Sequence, residues 1–181
     1  MNRQRWVVAL VVGALTVCGS LDRVLAQSAS ANGVSAKIAA AEQAVAKARA
    51  AIENGKTLVA QIPENSPYMP AVTDMLQKAS ESWKSAVESM NGASESAAKI
   101  TDSSSEVSGE YALLAKVNAD VAITGAQVVQ IGLAYVEAVA TNKSEALDLI
   151  QSAMKDALAA AKQVQFNYDR VKTLIYEKHS N

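Results

Sequence analysis

An all-α fold, an elongated antiparallel (up-down-up-down) four-helix bundle with alanine-rich, coiled-coil-like packing, is what this sequence predicts. Three observations carry that reading. Alanine and valine dominate an apolar half of the chain, while aromatic residues make up only 4%. Alanine is the best helix former and loses no side-chain entropy in a helix. The three prolines (Pro63, Pro67 and Pro70) lie together, leaving the rest free of strong helix breakers. Finally, apolar residues step by fours and threes from Val34 to Ile175, the spacing that lines one helix face.

The first stripe is Val34, Ile38, Ala41, Val45, Ala48, Ile52, Gly55, Val59 and Ile62, with Lys37, Glu42, Lys47, Arg49, Glu53 and Lys56 off it. It predicts a helix over 34–62 that stops before Pro63. Ser66-Pro67 supplies an N-cap and a first-turn proline for a second helix over 67–99. Its stripe runs Val72, Leu76, Ala79, Trp83, Ala86, Met90, Ala93, Ala97 and Ile100, and Asn91-Gly92 interrupts it as a site of fraying or kinking. Thr101 to Ser105 is a polar break, and Ser103 with Glu106 has capping-box spacing.

The third helix, 105–141, carries Val107, Tyr111, Leu114, Asn118, Val121, Gly125, Val128, Gly132, Tyr135 and Val139. A second apolar face through Val117, Ile123, Val129, Ile131 and Leu133 marks it as the most buried member. Asn142 and Glu145 form another capping pair, opening a fourth helix over 144–178. Its stripe is Leu147, Ile150, Met154, Ala157, Ala161, Val164, Tyr168, Val171 and Ile175. Such helices are roughly 43 to 55 Å long, and their short connections make neighbours antiparallel. The alternative is an elongated three-helix form in which 91–105 is disordered.

The N-terminus points to export. Arg3 and Arg5 precede a thirteen-residue apolar stretch, Trp6 to Cys18. As a helix that stretch is only ~20 Å long, too short for a bilayer core. Val24-Leu25-Ala26 follows with small or β-branched residues at the −3 and −1 positions of a cleavage site. Residues 1–26 therefore read as a secretory signal peptide and 27–33 as a flexible leader to the bundle of 34–178. The destination is periplasmic, cell-envelope or secreted. Leu15-Thr16-Val17-Cys18 resembles the lipobox of bacterial lipoproteins, although Val17 stands where that pattern wants a small residue. The resemblance implies a lipidated Cys18 and membrane association; cleavage after Ala26 instead leaves no cysteine in the remaining chain.

Loss of residues 1–26 removes Arg3, Arg5, Arg23 and Asp22, leaving 14 basic and 17 acidic residues with no basic cluster. That balance argues against nucleic acid, whose binding needs a concentrated positive surface. One histidine, His179, cannot supply the paired Glu-x-x-His motifs of a di-iron bundle or a zinc site; it reads as an exposed tail residue. Glu81, Glu88 and Glu95 recur at seven-residue spacing, with Lys78, Lys84 and Lys99 three or four residues away. They read as a solvated face with intrahelical ion pairs rather than a cation site. Asn118, with Asp120 nearby, falls in the apolar seam and reads as a register-fixing polar residue. Residues 121–140, with Gly125 and Gly132 a heptad apart, approach the length of a membrane span, but Gln127, Gln130 and Glu137 are costly in lipid. Close helix packing is the better account of them. Trp83, on the second stripe, reads as core.

No residue is assigned a catalytic, cofactor-binding or metal role, and no cofactor is expected. The expected function is non-enzymatic: an exported or cell-envelope helical protein acting through protein–protein interaction or self-association. The alternatives are a membrane-active bundle that inserts 121–140 and a periplasmic small-ligand carrier or chaperone.

Overall fold

The computed structural model describes residues 31–100 and 105–180. Residues 1–26, read as a signal peptide, with Cys18, Ser103 and residues 27–30, read as leader, lie outside them. Four α-helices and one short 3-10 turn make up the described chain, with no strand among the described residues. The helices are α1 (Ala31–Val59), α2 (Met69–Ala98), α3 (Ser105–Ala140) and α4 (Leu147–Ser180). The chain is all-α and folds as a helical bundle.

Several boundaries differ from the sequence reading, each for a local reason. Residues 31–33, read as leader, already belong to α1. At its other end α1 stops at Val59, and Gln61 N–H and Ile62 N–H donate three residues back to Leu58 and Val59. That tighter turn carries Ile62 off the helix yet keeps it buried in the core. Ser66 does not cap α2. Its hydroxyl oxygen accepts from Tyr68 N–H at 3.3 Å, and the helix begins at Met69, with Tyr68 in the cap position and no side-chain cap. Pro70 sits in the first turn, where its missing N–H is not needed.

Asn142 does not cap the N-terminus of the last helix either. It takes φ 54° and closes α3 instead. Lys143 N–H donates to Ala138 O at 2.8 Å and Asn142 N–H to Val139 O at 3.2 Å, the paired bonds of a Schellman ending. Asparagine tolerates the left-handed conformation that this ending requires. The 3-10 turn Ser144–Ala146 then leads into α4. Asn91-Gly92 breaks nothing, since α2 is continuous through it. Because 91–98 is helical, the three-helix form with a disordered 91–105 is not adopted.

α3 is the hub of the packing. It lies against α2, α1 and α4 along extended contacts, α1 and α2 meet less, and α4 scarcely touches α1 or α2. Backbone proximity explains the strongest pair. A Cβ on Gly125 would stand 3.0 Å from Ser82 O and 3.1 Å from Ala86 Cβ. One on Gly132 would stand 3.1 Å from Met75 O and 3.2 Å from Ala79 Cβ. The heptad of glycines thus lets α3 settle onto the backbone of α2. On the α1 side, Leu133 Cδ1 fills the space above Gly55 so fully that a Cβ there would be 1.9 Å away.

The core changes character along its length. Toward the two turns it holds large side chains: Val72, Met75, Val128, Tyr135, Val136, Ile150 and Met154. Toward the other end it thins to Ala41, Ala93, Ala119 and Ala122, then Ala112 and Ala115 beside Val34. Each alanine buries little area at roughly 25 cal/mol per Å², so that end relies on many small contacts between close backbones.

Two substitutions in α3 separate close packing from helix propensity. Gly125→Val should lower unfolding free energy by about 1–3 kcal/mol through overpacking against α2. Gly109→Ala, where a Cβ meets nothing within 4 Å, should raise it by about 0.5–1 kcal/mol. Urea denaturation followed by circular dichroism gives both values.

Candidate functional site

Polar groups that matter to the fold gather on α3, and each joins it to a different helix. Asn118 is the buried polar residue among those described, 6% exposed. It packs on Gly92 of α2, where an added Cβ would lie 3.1 Å from Oδ1. The glycine read as a helix breaker is therefore the hollow that seats the seam asparagine. Two residues on, Asp120 accepts a hydrogen bond from Lys37 Nζ of α1 at 2.7 Å. Burial pushes the Asp120 carboxyl above its ordinary value, and the Lys37 hydrogen bond only partly opposes this.

The third junction lies at the α4 terminus. Glu110 of α3 accepts from Lys178 Nζ at 2.7 Å, and its other oxygen lies 2.6 Å from His179 Nε2. His179 is exposed, as read, but it is also half of a clamp. The Lys178 hydrogen bond first, then that of His179, holds the Glu110 carboxyl below its ordinary 4.5, with desolvation opposing. Sequence inspection had no local signal for this contact, because its partners stand 68 and 69 residues apart.

That clamp matters because α4 is weakly held beyond Met154. Met154 is its last buried residue; Val164, Tyr168, Val171 and Ile175 are only half-buried against the hub. Phe166, Leu174 and Tyr176 are 61%, 56% and 74% exposed. The stripe continues regularly to Ile175, but it faces a neighbour on one side only.

The remaining sequence candidates are scattered. Glu81, Glu88 and Glu95 are exposed on α2 as read. Lys78 pairs with Asp74 at 2.6 Å, Glu81 accepts from Gln77, and Lys99 lies over the Tyr111 ring at 5.5 Å. Trp83 is half-buried rather than fully in the core, and its buried Nε1 meets no acceptor among the described residues. Gly125 and Gly132 lie inside the packing, as close helix contact requires. α3 is long and apolar enough to cross a membrane, yet 61% of its most apolar window is buried within the bundle. Among the described residues, no three His, Cys, Asp or Glu side chains converge as metal ligands.

One groove remains. α2 and α4 both rest on α3 without closing over it, leaving a cleft of about 600 Å³ floored by Met75, Met154 and Leu158 and flanked by Lys78, Lys155 and Lys162. Comparison of the chain with protein-family models, curated proteins and solved structures gives no match.

Two measurements test these junctions. Glu110→Gln should speed tryptic cleavage at Arg170 and Lys172 several-fold while leaving cleavage in α1 unchanged. In the unsubstituted chain the part of the clamp that depends on ionised Glu110 is lost as pH falls below 4.5 and through the lowered carboxyl value. An acid-active protease should therefore cut the end of α4 faster only on the acid side. Asn118→Leu should raise the melting temperature by about 2–4 °C, the shift for roughly 1 kcal/mol in a domain of this size, while broadening amide resonances around Gly92 as register loosens.

Proposed function

We propose that the chain is an exported, non-enzymatic helical protein that works by binding another protein or a second copy of itself. In this reading its four helices form an elongated up-down-up-down bundle, with α4 as the outermost rod. The observation that carries the reading is the outer surface of α4. Large apolar side chains are mostly withdrawn from water in a monomer, and exposed ones gathered in one region mark contact sites. Here Phe166, the chain's single phenylalanine, stands out with Leu174 and Tyr176 within eleven residues of one helix. Export is supported by the basic, apolar and small-residue order of residues 1–26.

A membrane-active bundle is the second reading, favoured by the length and apolarity of α3. It requires α3 to leave three neighbours, so vesicle leakage should appear only where the bundle also opens. The interaction reading is tested with Phe166→Ser, Leu174→Ser and Tyr176→Ser combined. Sedimentation and cross-linking of residues 27–181 should show an assembly, with itself or with an envelope protein, that the triple variant loses while its melting temperature stays within a few degrees. An unchanged assembly in that variant would reject α4 as the contact surface.

A further inference from the structure

We infer that the groove between α2 and α4 is a binding site for a free long-chain carboxylate, an amphipath with one acyl chain and one negative charge. The floor is apolar and adaptable. Met75 and Met154, 6% and 2% exposed, lie at its base, where the Met154 methyl lies 3.2 Å from the Cβ position of Gly132, and half-buried Leu158 extends the surface along α4. Methionine side chains have three rotatable bonds and reshape around irregular apolar ligands.

The rim is cationic. Lys78 is already matched by Asp74 at 2.6 Å. Lys155 and Lys162 also line the cleft, are exposed, and enter no ion pair among the described residues. They stand a heptad apart on one side of α4, about 10 Å along the axis. Two uncompensated ammonium groups bordering an apolar trough select a ligand with an apolar body and an anionic head.

Size agrees with such an occupant. The cleft's 600 Å³ lies within the usual range for small-molecule sites. Its α4 wall runs from Gln151 to Lys162, about 18 Å of helix. A single extended acyl chain matches that length.

The test titrates the full chain with oleate below its micelle concentration by isothermal calorimetry, beside oleyl alcohol and oleylamine. One saturable site should appear for oleate, with the alcohol and the amine each at least tenfold weaker. Lys155→Glu with Lys162→Glu should weaken oleate at least tenfold, and the milder Lys→Ala pair at least threefold, both with unchanged circular-dichroism melting. The inference is overturned if oleate shows no saturable site, if both lysine variants bind it as tightly as the parent, or if the amine binds equally well. It is also overturned if the lysine variants instead abolish self-association of a chain that takes up no oleate. The result is independent of Phe166, Leu174 and Tyr176, so either proposal can fail without the other.

Discussion

Everything in this molecule depends on how closely α3 approaches its neighbours. Packed helix axes lie about 8–10 Å apart depending on the side chains between them, and helices packed through leucine gain energy from large side chains. This chain has few large apolar residues to spend, and it compensates by bringing rods together where side chains are absent. Gly125 and Gly132 face Ser82 O and Met75 O, and Ala86 and Ala79 complete the contact. Dispersion attraction falls steeply with separation, so a small-residue interface is favourable only while it remains tight. The heptad of glycines is thus a condition of the fold, even though glycine weakens the helix that carries it.

A hub built this way has unequal spokes. α2 and α1 share the hub's glycine and alanine surfaces and also touch each other, making a three-helix core. α4 has only α3. It is held well near the turn, where Leu147, Ile150 and Met154 are buried, and then relies on half-buried contacts as far as the Glu110 clamp. Where local stability is low, function often follows, because surfaces that open or bind are drawn from the weakly held parts of a structure. Both the exposed apolar residues and the lysine-edged groove lie on this helix.

The helices themselves were legible in the sequence, because a stripe from Val34 to Ile175 is a local property of spacing. The partners of those stripes were not. Nothing in the α4 pattern distinguishes a stripe fully enclosed by neighbours from one that covers a single hub; both step by threes and fours. Asn142 suits a helix N-cap and a left-handed C-terminal ending equally, and the Lys143 to Ala138 bond decided between them. Gly92 looked like a defect in α2 until Asn118 was placed against it. Likewise Lys37 with Asp120, and Glu110 with Lys178, are charges far apart in the chain that only tertiary packing joins. Composition and period therefore fix what is helical, whereas the polar junctions depend on which rods become neighbours.

Native-state amide hydrogen exchange, read residue by residue, tests the hub most directly. Amides of 121–139 in α3 should exchange only through global unfolding, those facing them in α1 and α2 slightly faster, and those beyond Met154 in α4 faster by orders of magnitude. Protection in α4 equal to that of α3 along its whole length would contradict the account, as would early exchange around Gly125 and Gly132.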